Sequence, residues 1–462
     1  MSRGTAARSV VVVVLGAAAV VCIGLGLRSP ATPAASTAPR LATPVWSVRR
    51  VPQPVVDAAG VQRLDADLGR TTAGTDTCYL VDEGRRRLVA RNPDRPLIPA
   101  STLKLITAAA ALQTLGPSYR FTTTAVATAR PVNGTVDRLY LVGGGDPVLS
   151  TPEHIAALAT KPLTRTNVTT PLAKLADDVV ARGVTSIPGG VWGDDSRYDV
   201  ARTVPSWPAS YRTEVGPLGA LTVDGGFDRV SGTPVGDPAL AAATELTRLL
   251  AARGVQVGPP GHASAPGNAV ELATLASPPL GDLVAAALRS SDNLSMELIT
   301  RELGHRVNNT GSTAAGTAAV LSAARGLGIP TDALHLVDGS GLDHGNRATC
   351  AALAATLHDR DRPQLGALAD GLPVAAKTGT LATRFAGTPL AGRLAAKTGS
   401  LDGATGLVGL WRGDRSLDFA FLANGAFPEV TGIALREQVA RILARYPDVP
   451  DADTLVPAPV SP

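Results

Sequence analysis

Three short polar motifs lie far apart along the 462-residue chain, and the distances between them limit how it can fold. They are Ser101–Lys104 (S-x-x-K), Ser291–Asn293 (S-D-N) and Lys397–Gly399 (K-T-G). If one site uses all three, the chain must return to the same place twice. Ser291 follows Lys104 by 187 positions, which is too long for a loop within a compact domain. The sequence therefore predicts one or two folded domains inserted between the first two motifs.

The remaining pattern predicts an α/β fold in which helices and a sheet share one core. Strand-like segments occur near both ends of the folded region, and helix-like segments lie between them. The predicted strands are Asp76–Asp82, Arg87–Arg91, Arg393–Lys397, Gly406–Trp411 and Ser416–Ala423. The predicted helices run from Pro99 to Gly116, Pro238–Arg253, Leu280–Leu303, Thr313–Leu327, Thr349–His358 and Gly432–Arg445.

Changes in composition along the chain predict its domain boundaries. Residues rich in Ala, Pro, Ser and Thr are typical of a flexible tether, and a Pro-rich end is typical of a disordered tail. The predicted parts are a signal peptide or membrane anchor (1–28), a linker (29–45), a first core part (46–120), inserted domains (121–279), a second core part (280–446) and a tail (447–462).

The N-terminal residues are expected to be an export signal or a membrane anchor. Arg3 and Arg8 precede Val10–Leu27, an uncharged run of 18 residues that is long for a signal peptide and short for a membrane span. Both alternatives stay open. Cys22 is not expected to be a lipoprotein site, because Val21 precedes it where a small residue is needed. In either case the bulk of the chain is expected outside the cytoplasm, in the cell envelope or secreted.

Composition excludes several classes of function. The net charge is +4 with no long basic block, which does not indicate nucleic-acid binding. The six histidines form no H-E-x-x-H motif, and the spacing of the cysteines matches no zinc motif. Three cysteines are too few for a disulfide scaffold. Cys78 and Cys350 either pair in an oxidising compartment or are separate core residues, and both alternatives stay open.

Lysine is scarce in this chain, so each lysine is a candidate functional residue. Only five of the 43 basic residues are Lys. Unlike Arg, a buried Lys can lose its proton and act as a base. Ser101 and Lys104 occupy positions i and i+3 at a predicted helix start, where the amine can reach the hydroxyl. This arrangement predicts a serine nucleophile that a lysine activates.

The other two motifs supply groups that such a nucleophile needs. Ser291 can relay a proton, and Asn293 can orient the substrate or the lysine. K-T-G occurs twice, but only the copy at Lys397–Gly399 lies in a predicted strand, whereas the copy at Lys377–Gly379 runs into a segment with Pro and Gly. We therefore expect Lys397 to bind a substrate carboxylate and the backbone N–H of Ser400 to form part of an oxyanion hole.

S-x-x-K, S-D-N and K-T-G in this order are the motif set of penicillin-binding proteins and class A β-lactamases. The chain resembles most closely the D-alanyl-D-alanine carboxypeptidase/endopeptidase family, the class C low-molecular-mass penicillin-binding proteins (peptidase family S13). The similar stretches are LVARNPDRPLIPASTLKLITAAAAL, LVGGGDPVL, GVWGDDSRYD, PSWPASYRTEVGPLGAL, RSSDNLSMEL, VDGSGLDHGNRAT and GRLAAKTGSLDGATGLVG. Few lysines and many Ala, Gly and Arg residues favour an actinobacterial source.

The resemblance implies a fold, a reaction and partners. The fold is a transpeptidase/β-lactamase-like core, with helices around an antiparallel sheet and smaller inserted domains. The reaction is cleavage of D-Ala-D-Ala in peptidoglycan stem peptides, with β-lactams as covalent inhibitors. The resemblance implies no metal and no organic cofactor. In family terms Ser101 is acylated, Lys104 is its base, and Ser291 and Asn293 assist. Thr398, with Lys397, binds the terminal carboxylate.

Three further positions are implied only by the resemblance. Asp146 matches an acid of the inserted domain that reaches the stem peptide in some relatives. His344 stands where relatives often have Arg, and Asp402 stands where some have Gln. These departures leave the preference for the stem-peptide side chain open.

Two other functions compete with this interpretation. A class A β-lactamase needs a deacylating Glu between S-D-N and K-T-G, and no Glu occurs between Glu302 and Lys397. A non-catalytic protein that binds β-lactams or cell wall would not need to keep Lys104 in a chain so poor in lysine. The sequence favours a peptidase over both.

Overall fold

The computed structural model of the chain describes residues 53–161 and 168–447. The expected signal or anchor segment, the linker and the tail beyond Pro447 lie outside the described residues. Among the residues that are described, no helix is both long enough and apolar enough to cross a membrane.

The elements are numbered in chain order. The strands are β1 (Asp76–Glu83), β2 (Arg86–Arg91), β3 (Thr122–Ala127), β4 (Leu139–Val142), β5 (Leu149–Ser150), β6 (Thr170–Pro171), β7 (Ser186–Ile187), β8 (Val191–Asp194), β9 (Gln256–Val257), β10 (Gly261–His262), β11 (Val270–Ala276), β12 (Leu394–Leu401), β13 (Ala404–Arg412) and β14 (Ser416–Asn424). The helices are α1 (Gln53–Thr71), α2 (Lys104–Leu115), α3 (Pro152–Ala159), α4 (Leu172–Ala181), α5 (Pro238–Ala251), α6 (Leu280–Ser290), α7 (Asn293–Asn308), α8 (Thr313–Gly326), α9 (Cys350–His358), α10 (Ala367–Asp370) and α11 (Glu429–Arg445). Short 3-10 helices occupy Ala100–Leu103, Ala209–Thr213, Asp224–Gly226, Pro363–Leu365 and Gly379–Leu381.

The central sheet is antiparallel and has the strand order β12-β13-β14-β1-β2. It joins strands from both ends of the described chain, as the sequence predicts. Because side chains alternate along a strand, its two faces bury different residues. In β1, Cys78 and Leu80 pack with helices α2 and α6–α9, whereas Tyr79 and Val81 pack with α1 and α11. The predicted α/β fold, an antiparallel sheet between helices, is confirmed.

Residues between α2 and α6 build a second sheet with the strand order β10-β8-β4-β3-β11. Helices α4 and α5 contribute to a buried cluster of their own with this sheet, which includes Leu141, Leu175 and Leu246. Asn133 and Gly134 form a tight turn, since both residues have positive φ and Val132 bridges Thr135.

Cys78 and Cys350 form a disulfide across a sequence separation of 272 residues. The bond ties β1, in the central sheet, to the first residue of α9. The structure thus selects the paired alternative, which suits an oxidising compartment outside the cytoplasm.

The predicted single helix Leu280–Leu303 is wrong. The structure divides it into α6 and α7, with Ser291 in the left-handed region at φ 61°. Asp292 then begins the second helix, because its side chain accepts a hydrogen bond from the backbone N–H of Ser295. Apolar residues recur with helical spacing on both sides of the polar run Arg289–Asn293, so the pattern resembles one continuous helix. The break places both Ser291 and Asn293 at the end of a helix.

Candidate active site

The S-x-x-K motif lies at the junction of the 3-10 helix Ala100–Leu103 and α2, on the face of the central sheet that α2 covers. The Lys104 side chain is 0% exposed. Its Nζ contacts three oxygens: Ser101 Oγ at 2.8 Å, Asn293 Oδ1 at 2.7 Å and the Ser340 carbonyl at 2.7 Å. The first two motifs of the sequence therefore meet at this amine.

These three partners determine where a proton can move. The amide oxygen of Asn293 and the carbonyl of Ser340 can only accept hydrogen bonds. A neutral amine has two N–H groups and one lone pair, so these two acceptors use both of its hydrogens. The lone pair is then left for Ser101 Oγ, the only one of the three partners that can donate a proton. The geometry suits transfer from Ser101 to Lys104.

Burial lowers the pKa of Lys104 from its ordinary 10.5 to about 8. The opposing influence comes from the carboxylates of Asp338, Glu297 and Asp292, which favour the charged amine. Their combined effect is smaller than that of burial. A pKa near 8 leaves an appreciable neutral fraction at neutral pH, as a lysine base requires.

Glu297 holds a loop of the site in place, and the sequence analysis did not identify it as a site residue. Its Oε1 accepts hydrogen bonds from the backbone N–H groups of Gly339 and Ser340, at 3.0 and 2.7 Å. It therefore holds the loop whose Ser340 carbonyl binds Lys104. Burial, and then the nearby Asp338 carboxylate, raise the pKa of Glu297 above its usual range. Its position in RSSDNLSMEL, four residues after Asn293 and so on the same face of α7, is the signal that could have identified it.

The K-T-G motif that joins the site is the one on β12, as the sequence predicts. Lys397 is also 0% exposed, and its Nζ donates to Ser291 Oγ at 2.9 Å and to the Thr398 carbonyl at 2.9 Å. Burial, with the nearby charges of Lys104 and Arg436, lowers the pKa of Lys397 well below its usual range. Lys377 is exposed and precedes the 3-10 helix Gly379–Leu381 rather than lying in a strand.

Gly399 lets β12 approach the S-x-x-K turn. A Cβ at this position would lie 2.7 Å from the carbonyl oxygen of Pro99 and 3.1 Å from the Thr102 side chain. A larger residue would push β12 away from the nucleophile. Ser400, the next residue, is half-buried. The backbone of β12 therefore lies close to the turn that carries Ser101.

The three positions implied only by resemblance differ in exposure. His344 and Asp402 are exposed. Asp402 also accepts a hydrogen bond from the backbone N–H of Glu429, at 3.0 Å, where α11 begins. Asp146 is only 2% exposed, and burial raises its pKa to about 6. Contact between Asp146 and a peptide would require its loop to move.

A cavity of about 180 Å³ lies next to the site. Its lining includes Val148, close to Asp146 in sequence, together with Asp292 of the S-D-N motif and Ser295 just after it. No group of three or more His, Cys, Asp or Glu side chains in residues 53–161 and 168–447 is arranged to hold a metal ion.

Comparison with known proteins agrees with these motifs. The profile of the D-Ala-D-Ala carboxypeptidase 3 (S13) family matches residues 67–237 and 228–446. A carboxypeptidase of Mycobacterium tuberculosis is 36% identical over 429 residues, which are 87% of this chain and 87% of that protein. Carboxypeptidase DacB of Mycolicibacterium smegmatis is 33% identical over 95% of each chain.

The fold is also shared with a solved structure. Penicillin binding protein 4 from Haemophilus influenzae superposes with a TM-score of 0.68 at 20% identity, covering 82% of this chain and 99% of that one. At this identity the superposition concerns the fold, whereas the profile and the actinobacterial relatives concern the family. The chain belongs to the D-Ala-D-Ala carboxypeptidase 3 (S13) family, as its motifs predict.

Proposed function

We propose that this chain is a serine D,D-peptidase that hydrolyses the terminal D-Ala-D-Ala bond of peptidoglycan stem peptides through an acyl-enzyme on Ser101. Its membership of the S13 family gives the reaction class. The observation that carries the assignment of the nucleophile is the contact of Ser101 Oγ with Lys104 Nζ at 2.8 Å, on an amine whose other partners only accept hydrogen bonds. Penicillin acylates the same oxygen.

Acylation begins when the Ser101 hydroxyl proton passes to the neutral Lys104 amine. Ser101 Oγ bonds to the carbonyl carbon of the penultimate D-Ala, and the backbone N–H groups of Ser101 and Ser400 stabilise the negative oxygen. The C–N bond then breaks. The leaving amine of the terminal D-Ala takes a proton from the Lys104 ammonium, relayed through the Ser291 hydroxyl.

Deacylation repeats these steps with water. Lys104 accepts a proton from the water, whose oxygen bonds to the ester carbon, and Ser101 Oγ leaves and regains a proton. The products are the shortened peptide and free enzyme. Penicillin stops the cycle at the ester, because its leaving nitrogen stays tethered through the opened ring. If the leaving amine belongs to a neighbouring stem peptide, the same steps give an endopeptidase reaction.

The substrate carboxylate binds along β12. Thr398 and Ser400 present hydroxyl groups there. Lys397, whose Nζ donates to Ser291 Oγ, supplies positive charge. An arriving carboxylate favours the charged form of Lys397 and so offsets the effect of burial on its pKa. We assign the exposed His344 and Asp402 to contact with the stem-peptide side chains. Asp146 joins them only if its loop opens.

The proposed setting and organisation follow from the same substrate. Peptidoglycan lies outside the cytoplasm, so residues 1–28 export or anchor the chain. Residues 121–279 form an inserted domain, which the separate buried cluster around Leu141 supports. Residues 46–120 and 280–446 then form the catalytic core. Limited proteolysis that degraded 121–279 before the rest would contradict this division.

Release of D-Ala tests the proposed function. The purified full-length chain should release D-Ala from a pentapeptide that ends in D-Ala-D-Ala, and a fluorescent penicillin should label it once. Ser101→Ala should abolish both signals. Ser264→Ala, at an exposed serine in the inserted part, is the matched control and should change neither. Equal labelling of the Ser101 variant and the wild type would refute the assignment. A cross-linked muropeptide dimer as substrate measures the endopeptidase reaction.

A further inference from the structure

Arg436, on α11, carries a buried guanidinium group. It is 8% exposed and forms no ion pair with any residue of the described chain. Its acidic neighbour Glu437 pairs instead with Arg384, at 3.3 Å, and with Arg441, at 3.8 Å. Burial lowers the pKa of Arg436 to about 10, so it keeps its charge at neutral pH. Burial of an unpaired charge lowers stability unless hydrogen bonds or an ionic partner compensate for the lost hydration.

The contacts of Arg436 lead to the residue after K-T-G. Its Nη1 donates hydrogen bonds to the Gly399 carbonyl, at 2.7 Å, and to Ser400 Oγ. A guanidinium can only donate, so Ser400 Oγ is the acceptor in this pair. The hydroxyl hydrogen of Ser400 must therefore point to another acceptor. No described residue supplies one. Ser400 is half-buried, so its hydroxyl can donate to a group that arrives from outside the protein.

The free edge of β12 is where such a group can lie. β12 is the edge strand of the central sheet. The preceding segment covers the start of that edge, because Ala375 N donates to the Leu394 carbonyl and Ala396 N donates to the Pro373 carbonyl, both at 2.9 Å. From Lys397 onward no described residue bridges this edge.

Side-chain alternation along β12 separates its cationic and hydroxyl groups. Thr398 and Ser400 are two residues apart and share one face of the strand, whereas Lys397 lies on the other. Lys397 contacts Ser291 on its own face. Arg436 contacts Ser400 on the opposite face. An anion at the open edge is thus flanked by positive charge on both faces.

We propose that Arg436 is a positioning residue for the substrate carboxylate, which holds the Ser400 hydroxyl as a donor toward that carboxylate and adds positive charge opposite Lys397. The proposal rests on the proposed function, since it assigns the carboxylate of a D-Ala-D-Ala terminus to this edge. On this proposal Arg436 contributes to binding of an anionic terminus and does not contribute to the chemical step. Removal of Arg436 should weaken recognition of the carboxylate and leave acyl transfer itself intact.

The test compares substrates with and without the carboxylate. An acyl-D-Ala-D-Ala peptide and the same peptide with a terminal carboxamide are assayed with the full-length wild type and with Arg436→Gln. We expect kcat/KM on the acid to fall about tenfold through a higher KM, and kcat/KM on the amide to stay within twofold. Arg441→Gln, on the same helix but exposed and remote from Ser400, is the matched control and should change neither. An equal fall on both substrates would overturn the proposal.

A second variant tests whether Arg436 acts through Ser400. Ser400→Ala keeps the backbone N–H and should reduce the acid-to-amide ratio as Arg436→Gln does, and the double variant should show little further loss. An unchanged ratio in Ser400→Ala would also overturn the proposal. If Arg436→Gln shows no cooperative thermal unfolding and is therefore not folded, the ratio measured for Ser400→Ala alone decides the proposal.

A β-lactam pair separates this proposal from the proposed function. If the wild type releases no D-Ala, the proposed function fails. The rates of acylation by benzylpenicillin and by its methyl ester are then measured in place of the peptide assay. The rate on the free acid should then fall selectively in Arg436→Gln. A rate that falls equally on the acid and the ester, or on neither, would refute the role of Arg436.

Discussion

The rate of acylation should rise with pH as Lys104 loses its proton. With a pKa of about 8, roughly 10% of Lys104 is neutral at pH 7 and roughly 90% at pH 9. At the ordinary value of 10.5 the neutral fraction at pH 7 would be about 0.03%. Burial therefore increases the reactive fraction at pH 7 by roughly 300-fold. Because the neutral amine is the base, the rate should increase about tenfold between pH 7 and pH 9 and level off above the pKa.

The assay is the second-order rate constant for acylation, measured by intact mass between pH 6 and pH 9.5. The probe is benzylpenicillin methyl ester. Because it has no carboxylate, its binding does not require a charged Lys397, so the pH dependence of the rate reports on Lys104. Lys104→Arg is the matched variant: it keeps the positive charge but cannot give up its proton in this range, so acylation should be lost. A rate that is independent of pH, or a Lys104→Arg rate within tenfold of the wild type, would refute the role of Lys104 as base.

Three other outcomes follow from the structure. Lys397→Ala should lower kcat/KM on D-Ala-D-Ala peptides by roughly 10- to 100-fold, because a charged hydrogen-bond donor is lost, whereas the matched Lys377→Ala should change it little; the reverse pattern would mean that the other K-T-G copy is functional. Gly399→Ala should slow acylation by about 100-fold, since its Cβ displaces β12 from the nucleophile, and a wild-type rate would show that the contact is tolerated. Replacing Cys78 and Cys350 together by Ser should lower the free energy of unfolding by roughly 2–4 kcal/mol, measured in urea; an unchanged midpoint would contradict the disulfide.

The sequence identified the parts of the site that depend on residue type and spacing. Ser101 and Lys104 need only one turn of helix to meet, so the S-x-x-K pattern almost specifies their contact. Lys397 was distinguished from the second copy of K-T-G by strand-like neighbours, a local property of the chain. The central sheet was predictable because its strands are short, mostly apolar runs bounded by turn residues.

The features of the site that the sequence did not show depend mainly on contacts between segments that are distant along the chain. The break at Ser291 is concealed by helical periodicity on both sides, because a single residue with positive φ leaves little trace in composition. Glu297 and the Ser340 carbonyl were missed, because their role comes from a loop that approaches Lys104 only in the folded chain. Arg436 was missed for the same reason: it reaches Ser400 from a helix that begins 29 positions later.

Close backbone packing is what brings these distant segments together. At two glycines a Cβ would collide with the S-x-x-K turn: 2.7 Å from the Pro99 carbonyl oxygen at Gly399, and 2.0 Å from the Ala100 carbonyl oxygen at Gly341. The first glycine belongs to the strand that presents Ser400, and the second follows Ser340, whose carbonyl binds Lys104. Since both contacts involve backbone atoms, a side chain at either glycine cannot be accommodated by a change of rotamer. The geometry proposed for Ser101 as nucleophile therefore depends on two glycines to which the proposed mechanism assigns no chemical step.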